Sequence, residues 1–113
     1  MSSHSTQPNP VIFAKALADP TRQEVMELIC CKWLSVGEIV DAVGVSQPTV
    51  SHHLAILRDA GLVNVRTEGK QTFYILNQNR VVACCGTLIQ VFAPESDPLP
   101  ALEPVKIDTS TVD

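Results

Sequence analysis

The feature that most limits the fold is the change of hydrophobic period at Gly61. Before that glycine, apolar residues recur at three- and four-residue spacing, as on a helix with one buried face. From there to Leu76 they alternate, as on half-buried strands. Ser35 and Glu38 form an S-x-x-E capping box, which predicts a helix with Val36, Ile39, Val40 and Val43 facing inward and Gly44 at its end. Ser46 caps the next helix, Pro48 lies in the first turn that tolerates it, and Gly61 supplies a left-handed stop after Ala60. Two helices joined through Gly44-Val45 carry the signature of a helix-turn-helix.

The flanking segments complete the pattern. Residues 10–18 predict a short apolar helix closed by Asp19-Pro20, because a residue before proline avoids the helical region. A second helix over residues 21–32 places Val25, Leu28, Ile29 and Trp33 on one stripe. Beyond Gly61, Val63 and Val65 are expected to face Phe73 and Ile75 across a turn at Glu68-Gly69-Lys70, with Asn64, Arg66 and Thr72 on the other side. Residues 77–92 predict a closing helix with Val81, Cys85, Leu88 and Phe92 on one stripe, which needs a partner to cover it. The expected class is mainly α with a small β-hairpin, a dimeric winged helix-turn-helix in the order α-α-α-α-β-β-α.

A chain of 113 residues suits one domain, expected over residues 10–92, with a flexible start at 1–9 and a disordered, acidic, proline-rich tail at 93–113. The net charge of −4 argues against nucleic acid until the chain is divided: Glu95, Asp97, Glu103, Asp108 and Asp113 against Lys106 place all of it in the tail. Within residues 46–80, Arg58, Arg66, Lys70 and Arg80 outnumber Asp59 and Glu68, a modest basic face. There is no long apolar run and no basic-then-apolar leader, so a cytoplasmic protein without a membrane partner is expected. The cysteines come as two adjacent pairs, Cys30-Cys31 and Cys84-Cys85, expected to be free thiols or ligands rather than staples. No C-x-x-C, glycine-rich phosphate loop or nucleophile–base constellation points to an enzyme.

On the second helix of the helix-turn-helix, Val50, Leu54 and Leu57 cluster on one side, so Pro48, Ser51, His52 and Ala55 point away from the core. Gln47, Thr49 and Ser51 lie in the first turns, where base edges are met, and a Gln side chain pairs bidentately with adenine. His53 sits at the margin of the apolar side, where it either packs or reaches a phosphate. Arg58 on the helix, and Arg66 and Lys70 on the hairpin, are candidates for phosphate or minor-groove contacts with double-stranded DNA.

The stretch SVGEIVDAVGVSQPTVSHHLAILRDAGLVNVRTEGKQTFYIL, Ser35 to Leu76, resembles the ArsR/SmtB family of metal-responsive winged-helix repressors. With Asp19-Pro20-Thr21-Arg22 before it, the resemblance covers residues 10–92 and implies a homodimer on an inverted-repeat operator, released by an inducer. Where arsenite-binding members carry a C-V-C-type motif, this chain has Ser35-Val36-Gly37. Where zinc-sensing members carry Asp, His, His and Glu on the last helix, it has Gln78, Arg80, Val91 and Pro94. Both ligand sets are missing, which leaves the cysteines as the soft donors.

Cys85 falls on the closing helix's apolar stripe and Cys84 at its edge, whereas Cys31 lies off the second helix's apolar face, where packing would not place a thiol. Adjacent thiolates at a frayed helix end converge on one soft ion more readily than they form a strained disulfide. The expected inducer is arsenite on Cys30 and Cys31, with Cys84 or Cys85 as further ligands. Zinc or cadmium would draw on all four. The alternatives are a redox or persulfide sensor using one cysteine from each helix, and a DNA-binding or interaction module that senses nothing.

Overall fold

The computed structural model describes residues 9–97. The expectations for the two chain ends fall largely on residues 1–8 and 98–113, outside the described residues. Eight elements follow one another: α1 (Pro10–Leu17), α2 (Pro20–Leu28), β1 (Leu34–Ser35), α3 (Val36–Val43), α4 (Gln47–Asp59), β2 (Val63–Glu68), β3 (Gln71–Leu76) and α5 (Gln78–Phe92). This is the expected winged helix-turn-helix with one strand added.

Side-chain caps start the helices. Asn9 accepts from the Val11 and Ile12 amides, and Asp19 from the Arg22 amide. The capping box is complete: the Ser35 amide donates to Glu38 Oε1 at 2.8 Å and the Glu38 amide to Ser35 Oγ at 3.2 Å. At the end of α4 the Leu62 amide donates to the Leu57 carbonyl and the Gly61 amide to that of Arg58, a Schellman motif. Its turning residue is Gly61, at φ 74°, where a side chain would be strained. Leu57 and Leu62 are both fully buried, so the motif feeds the core directly.

The core gathers Phe13 and Ala16 from α1, Val25 and Met26 from α2, Ile39 from α3, Val50, Leu54 and Leu57 from α4, Val63 from β2 and Cys84 from α5, with Ile29 and Leu62 between elements. The predicted inward face of α4 is therefore the observed one, with His53 added.

Four expectations need correction. First, α2 stops at Leu28 instead of running to residue 32, because the carbonyl of buried Ile29 accepts from the Leu76 amide at 2.8 Å and the chain then turns into β1. Cys30, Cys31 and Trp33 thus lie in a loop. Second, β1 was missed: its two residues pair with β3, Leu34 with Tyr74 and Ser35 with Phe73, in a sheet ordered β1-β3-β2. A strand this short has no visible period.

Third, the hairpin register differs by one. Glu68 pairs with Gln71 around a two-residue turn, Gly69-Lys70, with Gly69 at φ 63°. Val63 and Val65 therefore oppose Leu76 and Tyr74, while Phe73 and Ile75 oppose Arg66 and Asn64. A one-residue slip moves every side chain to the other face. Fourth, the α5 stripe is Val81, Cys84 and Leu88, not Val81, Cys85, Leu88 and Phe92. Spacings of three and four share a helix face, and packing selected three after Val81. Cys84 is buried, and Cys85 and Phe92 are exposed.

Candidate nucleic-acid interface and the cysteine pairs

α4 presents a polar first turn to solvent. Ser46 Oγ lies 2.9 Å from Thr49 Oγ1, and Gln47 Nε2 donates to Ser51 Oγ at 2.9 Å. Gln47, Thr49 and His52 are exposed and Ser51 is half-buried, so the helix's first turns form a bordered polar surface. The Gln47–Ser51 bond holds the carboxamide along the helix and leaves its oxygen as a free acceptor.

His53, a candidate DNA contact, is buried instead, only 6% exposed. Arg22, 7% exposed, donates from Nη1 to His53 Nδ1 at 3.0 Å, from Nε to the Ala16 carbonyl at 2.8 Å and from Nη2 to the Lys15 carbonyl at 2.9 Å. A guanidinium has no acceptor, so Nδ1 must accept and the neutral ring carries its proton on Nε2, which faces Asp19 Oδ1 at 3.8 Å. Burial holds the His53 pKa below its ordinary value, against the pull of Asp19, with Arg22 and His52 adding to the depression. The Arg22 amide bond holds the Asp19 carboxyl below its usual range. The network ties the end of α1 and the start of α2 to the middle of α4.

The cations of the proposed interface are held differently. Arg58 lies 3.7 Å from its neighbour Asp59, both exposed. Arg66, in mid-strand and not at the tip, places its guanidinium carbon 4.6 Å from the centre of the Trp33 ring and its Nε 3.1 Å from Glu68. Lys70 is at the tip of the wing, exposed. Trp33, Arg22 and Gln78 are the contributors that pattern reasoning missed. Trp33 was read as one of a helix stripe, and the pairing of Arg22 with His53 spans too much chain to have a local signal.

Cys30 and Cys31 are joined by a disulfide between neighbours, against the expectation that such a bond would be disfavoured. That expectation assumed a helix end, whereas the observed bend releases both residues from helical geometry. Gln78, the first residue of α5, donates from Nε2 to the Cys30 carbonyl at 2.8 Å and lies 3.7 Å from Cys31 Sγ. Burial pushes the Cys84 thiol up, so it resists becoming the thiolate that binds soft ions. Cys85 is an exposed free thiol. Among the described residues no group of three or more His, Cys, Asp and Glu side chains converges as a metal site.

The donor sets known for the resembled family do not fit either. Ser35 Oγ is used as a cap, Gly37 has no side chain, and Gln78 is bonded to the cysteine loop. Among the described residues no helix is long and apolar enough to cross a membrane.

Comparison with known proteins decides the family. Residues 19–65 match the model described as bacterial regulatory protein, arsR family, and the chain is 37% identical over 87 residues to the biofilm growth-associated repressor of Agrobacterium fabrum, covering 76% of this chain and 74% of that protein. The chain belongs to the ArsR family. This ArsR regulator is also 40% identical over 63 residues to the arsenical resistance operon repressor of Staphylococcus xylosus, 56% of this chain and 61% of that one. The solved structure of reduced HlyU from Vibrio cholerae superposes with a TM-score of 0.60 at 36% identity, covering 74% of this chain and 87% of that chain. The helix-turn-helix formed by α3 and α4 is thus the DNA-binding unit of a transcriptional regulator, and the β2–β3 hairpin is its wing.

Proposed function

We propose that this protein is a cytoplasmic, homodimeric repressor that binds an inverted-repeat operator through α4 and the wing and is released by a thiophilic inducer, arsenite, held by the thiolates of Cys30 and Cys31. The observation that carries the reading is that two adjacent sulfurs meet in an accessible loop, while the donor positions used elsewhere in the family are filled by Ser35, Gly37 and Gln78. Likeness to an arsenical resistance repressor supports it. In the reduced pair each thiol displaces one hydroxide of arsenous acid as water, giving a cyclic dithioarsenite. A third sulfur for arsenic, or the four that zinc or cadmium prefer, would have to come from Cys84 or Cys85, and the burial of Cys84 weighs against that.

The Cys30–Cys31 bond favours a second reading, a dithiol–disulfide switch. It departs from a switch built from one cysteine of each helix, since both sulfurs come from one loop.

The test is a titration of the protein–operator complex, on an operator selected from random duplexes, followed by anisotropy of labelled DNA. Arsenite under reducing conditions should release the wild type but not Cys30→Ser or Cys31→Ser. Release by oxidants or polysulfides alone would replace the first reading by the second. Equal response of the serine variants to arsenite would remove both.

A further inference from the structure

The loop that bears the sulfur pair is pinned at both ends to β3. The Leu76 amide holds the Ile29 carbonyl at 2.8 Å, and Leu34 pairs with Tyr74. Between these anchors lie only Cys30, Cys31, Lys32 and Trp33. The first half of this bridge carries the sulfurs, and the second half carries the ring over which Arg66 of the wing is placed. From the other side Gln78 grips the bridge with the first residue of α5.

We propose that Trp33 is the positioning residue that carries the state of the Cys30–Cys31 pair to the wing by holding Arg66, with Gln78 as the matching contact on α5. The inference rests on the reading of the cysteine pair as the effector site. Bonded sulfurs close a small ring that includes the peptide between the two residues. Opening it by thiol–disulfide exchange consumes two small thiols, releases their disulfide and leaves two protein thiols. Arsenite then closes a larger ring through both sulfurs, with two waters leaving. Because the bridge has fixed ends, each change of ring must be absorbed by Lys32 and Trp33. Arg66 is held by two groups at once, its guanidinium carbon over the face of Trp33 at 4.6 Å and its Nε 3.1 Å from the carboxylate of Glu68. The ring fixes the plane of a guanidinium that meets Glu68 through Nε, which leaves its Nη donors for a phosphate, and a displaced ring leaves Arg66 to Glu68 alone.

The chain has one tryptophan, so its emission reports this residue alone. The experiment uses the full chain in three states: reduced with dithiothreitol, oxidised with oxidised glutathione, and reduced then loaded with arsenite. In each state the tryptophan emission and the operator Kd are measured, and free thiols are counted. Wild-type emission is expected to differ between states, and Kd to change by about fivefold or more between the reduced state and at least one other. Trp33→Leu should keep the thiol count and the fold, read by circular dichroism, yet bring the ratio of Kd values to within about twofold of unity. Arg66→Ala should do the same, whereas Trp33→Phe, which retains a ring face, should recover part of the ratio.

A wild-type ratio retained in Trp33→Leu overturns the relay and leaves the cysteine reading standing. A ratio of unity in the wild type overturns the cysteine reading and the relay together.

Discussion

Arg22 is a charged side chain almost wholly withdrawn from water, and it survives there because each donor that the fold buries has a partner: two α1 carbonyls and His53. Arg22→Ala should therefore lower unfolding stability by about 2 kcal/mol or more, measured by urea denaturation, since it strands the buried Ala16 carbonyl and His53 Nδ1, while the Lys15 carbonyl keeps the Ala18 amide. His53 makes the same network sensitive to acid. Its folded-state pKa lies below the ordinary 6.5, so the unfolded chain binds the extra proton first as pH falls. Stability is complete above that ordinary value and is lost as pH drops from it toward the lowered one. Asp19, whose lowered pKa sits under an ordinary 3.8, contributes in a separate, more acid window. Melting temperature should fall between about pH 7.5 and 5.5 in the wild type and much less in His53→Asn, whose amide oxygen replaces Nδ1 as acceptor. An equal fall in both proteins would place the titrating group elsewhere. None of this was legible locally: the Asp-Pro-Thr-Arg run and the paired histidines are visible in the chain, but the contact between Arg22 and His53 exists only once α1, α2 and α4 have packed.

Elements were read well where a cap or a period marked them. The Ser35–Glu38 box, the Ser46 cap and the Gly61 stop each appear as expected, because each is a short-range bond that the residues dictate by themselves. What failed was register: the turn was placed on three residues when Gly69-Lys70 suffices, and helix α2 was carried past a carbonyl that β3 claims. Both errors moved candidate site residues, placing Arg66 beside Trp33 and the first cysteine pair in a loop.

Two predictions belong to α4 and the wing. Gln47→Ala or Ser51→Ala should cost about 1 to 3 kcal/mol on the preferred operator and relax base preference, whereas Lys70→Ala should weaken all duplexes alike and flatten the salt slope by about one. Identical salt slopes for the two sets would contradict the docking. Gly69→Ala, forced to φ 63°, should weaken operator binding and lower unfolding stability by about 1 kcal/mol or more, because a side chain at that φ is strained even with open space around it.

At the scale of the molecule, α1 and α5 pack on each other and leave Val11, Ile12, Val82, Val91 and Phe92 exposed. The expected uncovered stripe of Val81, Leu88 and Phe92 is corrected accordingly: Val81 and Leu88 face the core, and the exposed apolar surface is their flank together with the outer side of α1. A second copy of the chain would cover it, and Val82→Asp with Phe92→Asp should convert a dimer to monomer in sedimentation velocity and weaken operator binding at the same time. The measurement that tests the account most directly is sedimentation equilibrium of the reduced protein with an inverted-repeat operator, before and after arsenite. Two chains on one duplex, separating into free dimer and free duplex on arsenite addition in the wild type but not in Cys30→Ser, is the predicted result. One chain per duplex, or a complex whose mass arsenite leaves unchanged, would contradict it.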